Sequence, residues 1–260
     1  MPRKPCYTLP SILLALALST GAYAQVSSIN SAAISPRVFN DVPGATLATV
    51  SNYPTTISFS ESGVSAASGF ANKDLWQFSA NGGTSAYQFA ANDYFYAAFD
   101  LTMTASAVSP RKEAGFYVNS ANVGEIFFIV DSDGHEVVQF GGSSFYSFNS
   151  SQGLTYTDGQ TIRLGISYFR DGNGNNALEL SANNLVSPWL EFTAATGNGS
   201  LDMGNGTTVG AYFQIQNDAS NAGNSGAVSF SNITIQSIPE PSVLALLGLG
   251  CLPLLFRRRK

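Results

Sequence analysis

The chain has 260 residues, of which 44% are hydrophobic and only 11% are charged, and its formal net charge is −5. An acidic balance of this kind argues against nucleic acid and anionic membrane surfaces as partners. The two cysteines, Cys6 and Cys251, lie close to the two ends. The chain between them therefore has no disulfide, no thiolate nucleophile and no cysteine metal site.

The first segment, 1–24, has the organisation of a secretory signal peptide. A basic start is followed by the apolar stretch 11–19 and by an A-x-A cleavage motif. We therefore expect export through the Sec machinery and removal of the segment by signal peptidase. The residues around the predicted cleavage point are Ala22, Ala24 and Gln25.

A β-sandwich domain is predicted for 51–237, after an irregular lead-in at 25–50 that has room for one edge strand. Apolar and polar residues alternate with period 2 in 93–104, 161–169 and 208–216, as in half-buried strands. Turn-forming clusters of Gly, Asn and Asp separate these and shorter strand-like runs. About a dozen short antiparallel strands predict an all-β sandwich or jelly roll.

The order of these features resembles concanavalin A-like sandwiches of the lectin and glucanase type. The resemblance covers roughly 90–237, and it rests on a hairpin (AGFYV, then GEIFFIVDSDGHEVVQF), a long strand after Gly159 and a closing strand, AVSFSNITI. It implies a jelly-roll fold. In the closing strand the apolar positions change parity after Phe230, which predicts a β-bulge near Ser231 and Asn232.

One loop has the composition of a calcium site. Asp171, Asn173 and Asn175 place side-chain oxygens at alternate positions, as at the start of an EF-hand loop. However, Asn176 stands where that loop has Gly, and Ala182 stands where it has a bidentate Glu. The alternatives are a flexible hairpin loop and a structural calcium ion, and no other cofactor is predicted.

The turn around His135, the only histidine, is a second candidate for a metal ion. Asp131, Asp133 and Glu136 flank it, and the alternative is a solvated hairpin turn. One histidine without cysteine cannot make a typical closed zinc site. Glycosidases need two carboxylates about 5–10 Å apart, and no strand carries such an acidic array. We therefore predict that the chain is not an enzyme, with a divergent glycanase as the enzymatic alternative.

Aromatic residues are the candidates for sugar binding, because a sugar ring can lie on an aromatic face while its hydroxyls find polar partners. The tyrosines in this set have the opposite parity from the apolar stripes, which favours an outward position. The alternative is packing in a second buried layer. The candidates are Trp76, Trp189, Tyr94, Tyr96 and Tyr212.

The segment 238–260 consists of a Pro-Glu-Pro motif, an apolar run at 243–256 and a basic end. As a helix the run covers roughly 21 Å, which is short for a bilayer core of about 30 Å. The three blocks resemble the PEP-CTERM sorting signal of Gram-negative bacteria, which implies processing by an exosortase and an organism that makes extracellular polysaccharide. The motif is Pro239, Glu240 and Pro241, and the basic end is Arg257, Arg258, Arg259 and Lys260.

Together these features predict an exported protein. The precursor is tethered to the inner membrane by its C-terminal helix, and the product reaches the cell surface or the extracellular polysaccharide matrix. Residues 25–238 carry six basic and 16 acidic residues, a net charge of −10, which suits a soluble exported domain or one that binds cations. The predicted role is structural or adhesive and non-catalytic. The alternatives are a lectin-like carbohydrate-binding module, supported by calcium, and a divergent glycoside hydrolase.

Overall fold

The computed structural model describes residues 28–65, 70–90, 93–142, 144–171, 173–191, 206–217 and 224–238. The predicted signal peptide, its cleavage site and the predicted sorting tail lie outside these residues. No helix within the described ranges combines the length and the apolar character needed to cross a membrane.

Fifteen β-strands and one short α-helix make up the described part of the chain. In chain order they are β1 (Ser31–Ser35), β2 (Thr46–Asn52), β3 (Thr56–Val64), β4 (Ala71–Ser79), β5 (Phe95–Ala105), β6 (Lys112–Ser120), β7 (Gly124–Asp131), β8 (Val137–Gly141), β9 (Tyr146–Ser147), α1 (Phe148–Gln152), β10 (Thr161–Arg170), β11 (Asn176–Ala182), β12 (Leu185–Val186), β13 (Leu190–Glu191), β14 (Thr208–Gln216) and β15 (Asn224–Ser237).

The strands form two antiparallel sheets. The first sheet has seven strands in the order β1-β4-β14-β6-β7-β8-β9. The second has eight, in the order β12-β11-β10-β5-β15-β3-β2, with β13 paired to β11. The last two strands of the described chain lie inside the sheets, β14 between β4 and β6 and β15 between β3 and β5. Each sheet is therefore completed only when the end of the domain inserts into it.

Apolar side chains from both sheets meet in one core, because successive residues of a strand point to opposite faces. At its centre Trp76 of β4 packs against Phe99 of β5 and Phe230 of β15, with ring centroids 6.0 and 5.8 Å apart. The ring of Phe99 lies 4.2 Å from that of Phe116 in β6. The predicted antiparallel β-sandwich is confirmed.

The bulge predicted in the closing strand is also present. The pairing of β15 with β5 shifts register between Ser231 and Thr234, and Asn232 adopts a positive φ of 50°. As a result Phe230 and Ile235, which have opposite parity in the sequence, are both buried. The bulge lets one long strand keep its apolar side against the core.

The structure differs from the prediction in 25–50, where β1 and most of β2 stand in place of an irregular lead-in with room for one edge strand. Among the strands of the described ranges, β1 pairs only with β4 and β2 pairs only with β3, so both are edge strands there. β2 is largely exposed. An edge strand of this kind needs no apolar alternation, and without alternation a single sequence gives little sign of a strand.

Candidate functional site

Trp76, one of the two tryptophans predicted to bind sugar, lies in the core. Its side chain is fully buried on the inner side of β4, with Phe78 at a centroid distance of 5.3 Å. A sugar ring cannot reach it, so this prediction is wrong. The physical reason is that nearly all residues of β4 are buried on both faces, and parity alone does not tell which face meets the other sheet.

The outer face of the first sheet carries a second, smaller packed layer, and Tyr212 belongs to it. Its ring is fully buried beside those of Tyr117 and Phe127, at centroid distances of 6.4 and 5.1 Å. The hydroxyl donates to Glu113 Oε1 at 2.9 Å, and burial raises the pKa of Tyr212 well above its usual value. Tyr212 is therefore a packing residue and not a sugar contact.

The charged side chains of this outer face are paired with one another. The Glu113 carboxylate accepts hydrogen bonds from Arg111 Nε at 2.7 Å and Gln214 Nε2 at 2.9 Å. Lys73 Nζ lies 3.7 Å from Glu125 Oε1 and 5.5–5.8 Å from the centres of three aromatic rings. Ionised groups satisfied in this way have little capacity left for a ligand, so we do not place the functional site here.

The second predicted tryptophan, Trp189, stands at a groove on the outer face of the second sheet, named the Trp189 groove below. The groove has a volume of about 340 Å³. More than half of Trp189 is exposed to solvent, 55%. The other residues that line the groove are Tyr94, Ser167, Phe169, Arg170, Glu179 and Ile238.

Two contacts fix the orientation of the Trp189 ring. The indole Nε1 donates to Glu179 Oε2 at 3.1 Å, and Phe169 packs nearly perpendicular to the ring, with centroids 5.3 Å apart and an angle of 76°. The backbone before β13 is held against β11 because the Ser187 N–H donates to Leu180 O and Ser187 Oγ accepts from Leu180 N–H. Trp189 is therefore an exposed and preorganised aromatic platform.

Strand pairing brings two further predicted residues to this face. The register places Ser167 of β10 opposite both Glu179 of β11 and Tyr96 of β5. Tyr96 is half-buried in this row, and Tyr94, just before β5, is buried and lines the groove. Tyr96 thus takes the outward position that its parity predicts, and Tyr94 reaches the groove although its ring packs against that of Tyr168 in the main core.

The loop predicted as a calcium site adjoins the groove but uses its carboxylate for its own turn. Asp171 Oδ1 accepts hydrogen bonds from the backbone N–H groups of Asn175 and Asn173, at 2.7 and 2.8 Å. These bonds lower the pKa of Asp171. Arg170 Nε donates to Gly174 O at 2.8 Å, which ties the loop to the groove. The turn accounts for Asp171 without an ion.

The turn around His135 is likewise held by hydrogen bonds and ion pairs. Asp131 Oδ1 accepts from the Gly134 N–H at 2.9 Å, and Arg111 forms ion pairs with Asp131 and Asp133 at 3.1 and 3.3 Å. These contacts match a structural turn. Among the residues that the structure describes, no group of three or more His, Cys, Asp or Glu side chains could hold a metal ion.

Three residues that complete the groove carry no sequence motif. Phe169 has the outward parity of Ser167 on β10, and an outward phenylalanine on a polar strand face is the one local signal. Glu179 reaches Trp189 only through the register of β10 with β11, and Arg170 reaches the groove only because β10 ends there. Register is set by the whole sheet, so local reasoning could not find these two.

No family model and no curated protein matches the chain. Among solved structures the chain is similar to alginate lyase A1-II', a member of polysaccharide lyase family-7, with 9% identity, a TM-score of 0.43 and coverage of 73% of this chain and 82% of the other. It is similar to alginate lyase Aly36B, with 10% identity, a TM-score of 0.44 and coverage of 82% of this chain and 99% of the other. It is also similar to the potassium-bound carbohydrate recognition domain of Emp46p, with 10% identity, a TM-score of 0.42 and coverage of 75% of this chain and 88% of the other. At these identities the likeness shows the sandwich fold alone.

These comparisons correct the predicted role. Several of the similar structures are alginate lyases, which are enzymes, and another is a carbohydrate recognition domain. The prediction of a non-catalytic structural or adhesive role is therefore wrong.

Proposed function

We propose that this chain is a glycan-active protein that holds a segment of a polysaccharide in the Trp189 groove. The observation that carries the proposal is the exposed indole of Trp189, which Glu179 and Phe169 hold in one orientation. A sugar ring presents a face of C–H groups and a rim of hydroxyls. A fixed aromatic ring covers the apolar face, and neighbouring polar groups bind the rim.

The groove offers the polar groups that a sugar rim requires. Arg170 supplies guanidinium donors, the Glu179 carboxylate accepts hydrogen bonds, and the Ser167 hydroxyl does both. Its volume of about 340 Å³ lies in the range of roughly 300–1,000 Å³ that small-ligand sites occupy. The site therefore suits a short stretch of a sugar chain, and its open outer side lets a longer chain continue over the sheet.

Isothermal titration calorimetry tests this proposal, because it also measures binding by Trp189→Ala, which lacks the one exposed tryptophan that a fluorescence titration would need. The full-length chain is titrated with polysaccharide from the source organism and with neutral and uronic-acid oligosaccharides. Trp189→Ala is expected to weaken binding about tenfold, or ~1.4 kcal/mol, which is the size of a lost aromatic contact. The matched control is Phe145→Ala, which removes an exposed ring outside the groove. Equal affinities of Trp189→Ala and wild type would refute the proposal.

The same incubations distinguish recognition from cleavage. Chain ends released by the wild type, and not by Trp189→Ala, would identify an enzyme that cuts the glycan it binds. Saturable binding without release would identify a recognition protein. A wild type that neither binds nor cuts any of the glycans would contradict the proposal.

We also propose that the protein is exported and sorted by its terminal signals. The support is the sequence of 1–24, the Pro-Glu-Pro motif at 239–241 and the basic end at 257–260. Just before the motif, the Ile238 N–H donates to Tyr94 O at 2.9 Å, so the tail begins beside the Trp189 groove. Mass spectrometry of the surface protein is expected to show a chain without signal or basic tail, and cells that lack the exosortase are expected to retain the tail. An intact tail in wild-type cells would contradict sorting.

A further inference from the structure

Two carboxyl groups face each other inside the sandwich, one from each sheet. Glu61 lies on the inner side of β3 with Ile57 and Phe59, and Asp74 lies on the inner side of β4 with Trp76. Both carboxyls accept hydrogen bonds from the same residue, Arg37. Glu61 is 1% exposed and Asp74 is 0% exposed, so neither carboxyl is solvated.

The segment that joins β1 to β2 is fastened to this pair. Arg37 donates its backbone N–H to Asp74 Oδ1 at 3.0 Å and its guanidinium Nε to Glu61 Oε1 at 3.3 Å. Asn72 Nδ2 donates to Glu61 Oε2 at 3.2 Å, and Asn72 Oδ1 accepts from the Val42 N–H at 2.9 Å. The carboxyl pair therefore anchors one connecting segment to both sheets.

The charges at this site do not balance when both carboxyls are ionised. Arg37 supplies one positive charge against two negative ones, and the side chain of its other partner, Asp41, is 71% exposed and solvated. Lys112 also faces the interior, but β14 lies between its strand and β4, and its Nζ donates to Ala107 O at 2.7 Å. A net negative charge in a buried space is costly unless a proton or another cation neutralises it.

One oxygen of the pair marks where that neutralisation occurs. Asp74 Oδ2 is buried and accepts no hydrogen bond from the described residues. A proton on this oxygen makes it a donor to the Glu61 carboxylate and removes the repulsion between like charges. Burial raises the pKa of Asp74 to about 7, and Glu61 adds to this rise while the Arg37 N–H opposes it.

We propose that Glu61 and Asp74 form a proton-binding site that fixes the segment between β1 and β2 to both sheets. With one proton bound, the carboxyls bond to each other and Arg37 neutralises the remaining charge. When the proton leaves, two like charges face each other in a buried space, and the anchor of the segment weakens. The protein is therefore held together more firmly on the acidic side of neutrality than on the alkaline side.

The direction of this pH dependence of stability follows from the linkage between proton binding and folding. The folded chain keeps the proton on the pair up to about pH 7, whereas an unfolded aspartate keeps it only up to about pH 4. The contribution to stability is complete below the unfolded pKa and is lost as the pH rises to the folded one. Within this window the contribution of the pair to the folding equilibrium constant falls by up to about tenfold per pH unit.

Asp74→Asn tests the proposal, because the amide imitates the protonated acid. It keeps an acceptor for the Arg37 N–H and gains a donor for Glu61. Urea unfolding of the full-length chain is measured from pH 5 to 8.5, with the fluorescence of buried Trp76 as the probe. As the pH rises over this range, the folding equilibrium constant of the wild type is expected to fall at least tenfold more than that of the variant. Asp41→Asn, which alters an exposed carboxylate on the same Arg37, is the matched control and is expected to follow the wild type.

Glu61→Gln is a second variant that keeps the test decisive where Asp74→Asn does not fold. Glu61→Gln removes the negative charge that faces Asp74, so its stability is expected to depend on pH less than that of the wild type, as for Asp74→Asn. Parallel pH profiles of the wild type and either folded variant would overturn the proposal. Stabilisation of the wild type by calcium chloride that EDTA reverses and Asp74→Asn abolishes would also overturn it, because a metal ion would then neutralise the site.

Discussion

The hydroxyl of Tyr156 joins the loop before β10 to the end of β5, and Tyr156→Phe removes that single oxygen. The hydroxyl accepts the Met103 N–H at 2.8 Å and donates towards Gln160 O at 2.9 Å and Met103 O at 3.1 Å. Burial raises the pKa of Tyr156 to about 12. Met103 O keeps another donor, the Gly159 N–H at 2.8 Å. The main loss is therefore the partner of the buried Met103 N–H.

An unsatisfied buried N–H costs about 1–3 kcal/mol. We therefore expect Tyr156→Phe to lower the free energy of unfolding by ~2 kcal/mol and Tm by about 4–8 °C, measured by urea and thermal unfolding. Tyr146→Phe is the matched control, because its hydroxyl accepts an exposed hydrogen bond from Gln152 Nε2 at 2.7 Å, and a change within about 0.5 kcal/mol is expected. Equal stabilities of the two variants would refute the reasoning.

Two further substitutions have predictable effects on stability. A Cβ atom at Gly210 of β14 would collide with the carbonyl oxygen of Trp76 in β4, so Gly210→Ala is expected to lower the free energy of unfolding by about 1–3 kcal/mol, and an unchanged urea midpoint would contradict this. Burial by itself would raise the pKa of Asp100, yet hydrogen bonds from Asn232 and Arg163 lower it. The ionised Asp100 carboxylate therefore contributes to the stability of the fold. This contribution is present above the pKa that Asp100 has in the unfolded chain, and it is lost as the pH falls through its pKa in the folded chain. Asp100→Asn is therefore expected to cost less than about 1 kcal/mol at pH 7 and nothing at pH 2, and a cost that is constant with pH would contradict the assignment.

The central strands are the part of the fold that one sequence predicts well. β10 and β14 agree with the predicted 161–169 and 208–216 to within one residue, because period-2 alternation is a local property of strands with one apolar face. The short helix α1 gives no such signal. It is fixed by the Ser147 N-cap, by Gly153 in a left-handed conformation and by burial of Phe148, since a helix of this length is not stable by itself.

The candidate site was predictable only in its aromatic residues. Composition and parity pointed to Tyr94, Tyr96 and Trp189, which lie at or beside the groove, but the same reasoning also selected Trp76 and Tyr212, which are buried away from it. A strand pattern shows that neighbours face opposite ways. It does not show which faces will later be covered by a second layer.

The sequence by itself determined the all-β class, the alternation of the central strands and the bulge near Asn232, because each depends on neighbouring residues. Only the tertiary structure decided which tryptophan meets solvent and that Glu61 meets Asp74. Those two carboxyls come from different sheets, and Trp189 meets Glu179 across paired strands. Such contacts depend on register and on the packing of one sheet on the other, which the whole chain sets together.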